Sequence, residues 1–201
     1  MIPIIKFCFS PIYNSFFERF VKFPIHGKEF PAVKEVIKKM NRLEKEWRKI
    51  EKKILKGLVK YTNLNWQKKE IDCYFVGKCI PFSDPLTICP RENNKETVNL
   101  LIHELIHQLI FQNRNNKKVQ NIWKYLEKKY RKESKLTISH IIVHAIHSRI
   151  YAEYFSEQEK INNIRRDNQD INYARSWEIV NDLGYQKILD QLRSGVSLTK
   201  F

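Results

Sequence analysis

The sequence predicts an α+β fold in which helices dominate and one small mixed β-sheet is inserted among them. Apolar residues recur at steps of three and four through a long stretch beginning at Pro31, and again from Glu96 onward. Between these stretches lie two short runs, 71–76 and 86–89, rich in β-branched and aromatic residues and bounded by Gly77, Pro81, Pro85 and Pro90. A length of 201 residues with 42% hydrophobic and 12% aromatic residues supports one buried core with a helical appendage, not two full domains. The predicted division is an aromatic N-terminal segment over 1–30 that packs on the core, a central domain over 31–157, and a helical C-terminal extension over 158–201.

The N-terminal segment is apolar, but Lys6, Glu18, Arg19 and Lys22 interrupt it well before the roughly 20 residues that a membrane span requires. It has no basic start before its apolar run and contains Pro3 and Pro11, so it reads as mature chain and not as a secretory signal. No membrane span is expected. Pro31 suits a first helical position, where its missing N–H would have no intrahelical partner in any case. From there Val33, Val36, Ile37, Met40, Leu43, Trp47, Ile50, Ile54 and Leu58 form the single buried stripe of a long helix. Lys38, Lys39, Lys45, Lys49, Lys52 and Lys53 share its other faces with Glu35, Glu44, Glu46 and Glu51. That mixture reads as a solvated surface with spaced ion pairs in preference to a nucleic-acid-binding face.

The two short runs read as strands. Val98, Leu101, Ile102, Leu105, Leu109 and Ile110 then predict a helix over 96–111, and the polar run 113–118 ends it. Val119, Ile122, Trp123, Leu126 and Tyr130 mark a third helix, and a fourth runs over about 139–155. The extension keeps a helical stripe at Trp177, Val180, Leu183, Ile188, Leu189 and Leu192. Lys and Arg outnumber Asp and Glu by 37 to 22, a net charge of +15 that raises, without requiring, a nucleic-acid or phospholipid partner. Cys8, Cys73, Cys79 and Cys89 contain no Cys-x-x-Cys pair and make no disulfide framework, so they read as thiols in a reducing, cytoplasmic setting.

Within the helix over 96–111 stand His103, Glu104, Leu105, Ile106 and His107, a His-Glu-x-x-His pentapeptide. Its imidazoles lie one turn apart and project side by side, two nitrogen donors suited to one tetrahedral zinc ion. Glu104, about 100° round the helix from His103, can reach a water on the metal's open side and act as general base. Zinc lowers the pKa of such a water toward about 7, which suits peptide hydrolysis at neutral pH. Leu101, Ile102, Leu105, Ile106 and Leu109 make this a largely buried helix, where polar groups without partners would be costly.

A zinc site needs a third protein ligand, and His140, His144, His147 and Glu153 on the fourth helix are the candidates. His140, His144, His147 and Tyr151 share one face, while Glu153 lies on the other beside Ile142, Ile146 and Arg149. A carboxylate there has either the metal or Arg149 as its partner. The residues alone leave the choice open.

With these residues in view, the chain resembles the zincin metallopeptidases of the gluzincin type, and among them the small soluble archaeal minigluzincins. The resemblance covers 31–157. It rests on the pentapeptide and on Ser139, His140, Ile141, Ile142, Val143, His144 and Ala145. It implies an endopeptidase with one Zn2+ per chain held by His103, His107 and Glu153, with Glu104 as general base and a peptide or protein as substrate. The alternative third ligand is His144 or His140, and Glu157 stands where many gluzincins carry an aspartate four residues after the ligand glutamate.

The resemblance also implies latency through a terminal segment; part of 156–201 either docks over the zinc or mediates a homodimer, or the extension simply packs on the core with Trp177 and Val180 facing inward. An edge strand from 86–89 is expected to bind extended substrate by β-augmentation. Ile110 and Asn113 stand where a metzincin has glycine and histidine. The runner-up is a DNA-associated protease of the SprT or Spartan kind with a third histidine, which the net charge favours although no recognisable DNA-binding module is present. A third reading is a non-catalytic basic nucleic-acid-binding module with a structural zinc.

Overall fold

In the computed structural model the chain runs β1 (Ile4–Cys8), α1 (Pro11–Phe20), α2 (Val33–Thr62), β2 (Glu70–Phe75), β3 (Phe82–Ser83), β4 (Leu86–Ile88), α3 (Asn94–Gln112), α4 (Lys117–Lys129), α5 (Lys135–Tyr154), α6 (Glu157–Asp167), α7 (Ile171–Leu183) and α8 (Tyr185–Ser194). The fold is α+β and mostly helical, with one small mixed sheet. The structure describes residues 1–20 and 29–195; the stretches 21–28 and 196–201, which fall in the expected N-terminal segment and C-terminal extension, lie outside them. Among the described residues no helix is long and apolar enough to cross a membrane. The chain divides into two compact units, residues 1–55 with 68–108 and residues 56–67 with 109–201.

The first unit holds the sheet, in the order β1-β2-β4-β3. β1 runs parallel to β2 with Ile5 opposite Ile71, and β2 runs parallel to β4 with Phe75 opposite Ile88. β3 closes the order antiparallel to β4. Ile71, Cys73 and Phe75 point into the core while Glu70 and Asp72 face solvent, the period of two that a half-buried strand requires. Leu86, Thr87 and Ile88 are all buried because β4 is an interior strand. The edge expected over 86–89 is therefore already paired on both sides, and the outer strand is the two-residue β3.

β1 is an element that the N-terminal aromatic pattern did not separate from its surroundings. A side chain of α2 fixes it. Glu51 accepts the Ile5 N–H at 2.9 Å and the Trp47 indole N–H at 3.0 Å, while Arg48 donates to the Ile5 carbonyl at 2.9 Å and also binds Glu51. The backbone polar groups of the fully buried Ile5 are thus satisfied from a helix. α1 adds Asn14, whose carboxamide oxygen accepts the Gly77 N–H at 2.8 Å, and Phe17, which packs with Val76, Cys79 and Cys89.

In the second unit α5 packs against α7 and α8, and α4 packs against α8. Trp177, Val180, Ile188, Leu189 and Leu192 of the extension are buried, and Leu183 is half-buried. Helix starts are capped as their sequences imply. Ser134 caps α5, Ser156 and Glu159 form a reciprocal capping box on α6, and Asp170 caps α7. Gly184, at φ 77°, turns the chain from α7 into α8, a conformation that a side chain would strain.

Glu51, only 16% exposed, serves three donors, so Glu51→Ala is expected to lower stability by about 2 kcal/mol. Urea unfolding followed by Trp fluorescence measures it. Glu46→Ala, which breaks an exposed pair with Lys49, should cost less than about 0.5 kcal/mol.

Candidate metal centre

α3 starts where Asn93 accepts the Glu96 N–H through its side chain, and it then buries nearly everything it carries. From 97 to 110 every residue is buried except Leu100 and His107, so this helix lacks a polar face. α5 behaves alike: Thr137 to Ser148 is buried save Ser139. Polar side chains in such helices need partners inside the protein.

His103 and His107 on α3 and His140 on α5 each offer a ring nitrogen, and these atoms all lie within 4.8 Å of one another. The His103 and His107 ring centroids are 5.0 Å apart, as residues one turn apart on a common face should be. His140 Nδ1 donates to the Leu136 carbonyl at 2.9 Å, and since a carbonyl only accepts, the proton sits on Nδ1 and the lone pair on Nε2. That is the arrangement by which ligating histidines are commonly oriented. Burial lowers the His140 pKa, which favours the neutral, ligating form. Tyr173 of α7 lies against the same ring, centroid to centroid 4.3 Å.

These donors fit zinc. A tetrahedral ion with bonds of about 2.0–2.1 Å holds its nitrogens roughly 3.3 Å apart. Three protein ligands leave a fourth position open. The half-buried His107 keeps the cluster in touch with solvent.

Glu104 is 6% exposed, and burial pushes its carboxyl up to about 8 against the opposing pull of Arg91. Gln108, one turn beyond Glu104, is buried, and its side-chain amide donates to the Ser83 carbonyl of β3. A polar residue in an otherwise apolar helix was the available signal for Gln108. Tyr173 left none, because it arrives from another helix.

The structure does not bring Glu153 to these histidines. Glu153 stands thirteen residues beyond His140 on the same helix, about 20 Å further along its axis, so the two cannot share an ion. Its partners are the Tyr61 hydroxyl and Arg149, the latter at 3.2 Å. Tyr61 and the nearby cations hold its carboxyl below the usual range. Arg149, the non-metal partner that the sequence left open, is the one Glu153 has.

His144 lies one turn from His140, with ring centroids 5.4 Å apart. Its Nδ1 pairs with the Ser176 hydroxyl and its ring stacks on Trp177 at 4.1 Å. His147 stacks on Tyr151 at 4.3 Å. Among the described residues, the donor group of three is His103, His107 and His140, which makes His140 the alternative that the geometry selects.

Comparison with protein-family models, with curated proteins and with solved structures gives no match to this chain.

Elemental analysis of untagged protein loaded with zinc is expected to give about one zinc per chain for wild type and for Glu153→Gln, and well under half for His140→Ala. Equal loss in Glu153→Gln would restore the carboxylate as ligand.

Proposed function

We propose that the protein is a zinc-dependent metallopeptidase whose metal is held by His103, His107 and His140 and whose general base is Glu104. One observation carries this reading: the third histidine meets the His-Glu-x-x-His pair, and the residue next to His103 is a buried carboxylic acid. The reading keeps the peptidase activity implied by the zincin resemblance and takes His140, not Glu153, as the third ligand.

Three neutral imidazoles leave a bound ion its full double charge and suit zinc better than the oxygen-seeking magnesium or calcium. When bound, zinc supplies Lewis-acid activation of a water and polarisation of the carbonyl under attack. Ionised Glu104, a form that the charge of a bound Zn2+ would favour against the effect of burial, would accept the proton of a water held there and return it to the amine nitrogen of the departing chain as the C–N bond breaks. The Leu136 carbonyl holds the His140 ring in one tautomer. Gln108 ties α3 to the outer strand β3 and thereby fixes the helix that carries both His107 and Glu104.

A fluorogenic peptide library tests the reading. Zinc-loaded wild type should cleave, and Glu104→Gln should retain about one zinc per chain while losing at least roughly 100-fold in kcat/KM. A chelator should abolish cleavage and added zinc should restore it. Zinc-loaded wild type that cleaves no faster than Glu104→Gln would instead make the metal structural.

A further inference from the structure

α2 carries eleven of the chain's Lys and Arg residues against four glutamates, so 30 of 201 residues hold +7 of the +15 net charge. The distribution round the helix is sharper than the count. At about 100° per residue, Lys34, Lys38, Arg42, Lys45, Lys49 and Lys52 fall within an arc of about 80°. All six are exposed. The four glutamates of the helix fall outside that arc, though Glu46 reaches Lys49 at 2.8 Å. The apolar stripe of Val36, Leu43, Trp47 and Ile54 is buried on the opposite side of the helix.

The six cations thus form a straight line over about 27 Å, at a mean step of about 5 Å. Lys34, Lys38, Arg42 and Lys45 border one shallow hollow on this surface, and Arg42 also borders a second one with Lys39 and Arg91. Packing of α2 on the core requires none of this. A soluble helix needs polarity on its outer face, not a single sign of charge, and like charges one turn apart destabilise it.

We propose that this face of α2 binds the phosphate backbone of duplex nucleic acid without reading its sequence. A line of point charges matches a line of phosphates, and each neutralised phosphate releases counterions. Five of the six cations are lysines, which contact phosphate without the bidentate fork that arginine uses to read guanine. No aromatic residue stands in the arc, so the stacking platform that single strands use is missing from this face. An anionic membrane would take up an amphipathic helix through its apolar side, and that side of α2 is already buried in the protein.

The test is fluorescence anisotropy of the full-length protein on a labelled mixed-sequence duplex of 20 base pairs, between 50 and 200 mM salt. Binding should weaken with a log–log slope near −5, at about 0.9 per phosphate for five to six contacts. The triple variant Lys38→Gln, Arg42→Gln, Lys45→Gln should reduce that slope by about 2.7. The triple variant Lys117→Gln, Lys124→Gln, Lys128→Gln, which removes three exposed cations of α4, should leave it unchanged.

Equal losses in the two variants would mean diffuse charge and overturn the assignment, as would no binding at 50 mM salt. Tighter binding to vesicles of phosphatidylserine and phosphatidylcholine than to the duplex would replace it with a membrane surface. Glu104→Gln should bind the duplex as wild type does, so failure here and failure of the peptidase reading are separate results.

Discussion

Burial of polar side chains in helices that have no polar face is the constraint on which the rest of the structure depends. α3 and α5 are enclosed along most of their length, yet they carry His103, Glu104, Gln108, His140, His144 and His147 inside. A buried donor or acceptor left without a partner costs about 1–3 kcal/mol, and three of these side chains have partners that can be named. Gln108 takes the Ser83 carbonyl, His140 takes the Leu136 carbonyl, and His144 takes the Ser176 hydroxyl and the face of Trp177. The extension beyond residue 157 therefore supplies partners to α5 as well as apolar surface.

The same constraint separates the roles of the fourth-helix candidates. His140 and His144 both lie deep in α5, but α7 engages His144 Nδ1 through Ser176 and its ring through Trp177, whereas ring nitrogens of His140, His103 and His107 lie within 4.8 Å of one another. Glu153 sits near the far end of the helix, where Tyr61 and Arg149 receive its charge in partly exposed surroundings.

α2 shows the opposite organisation, with an apolar stripe in the core and, on the far side, a line of six cations flanked by glutamates. Its apolar side holds Trp47, Leu43 and Ile54 in the core, while Glu51 and Arg48 at the boundary hold β1 through the backbone of Ile5. The solvent side has no structural duty, and for that reason its charge pattern bears on partners and not on folding.

The sequence by itself determined whatever depends on neighbours along the chain. The apolar stripe after Pro31, the strand composition of 71–76, the helix stop near Asn113 and the pairing of His103 with His107 are all consequences of local sequence and backbone geometry. It showed the angle of His140 and of Glu153 round their helix, but angle alone does not say which end of that helix approaches the pentapeptide. Only the tertiary structure placed a His140 ring nitrogen, and not the Glu153 carboxylate, within 4.8 Å of those of His103 and His107, because about 20 Å of helical rise separates the two candidates. It alone revealed β1, whose place depends on β2 more than sixty residues later and on two side chains of α2. Strand pairing and ligand convergence are contacts between distant segments, and no periodicity in one segment encodes its distance from another.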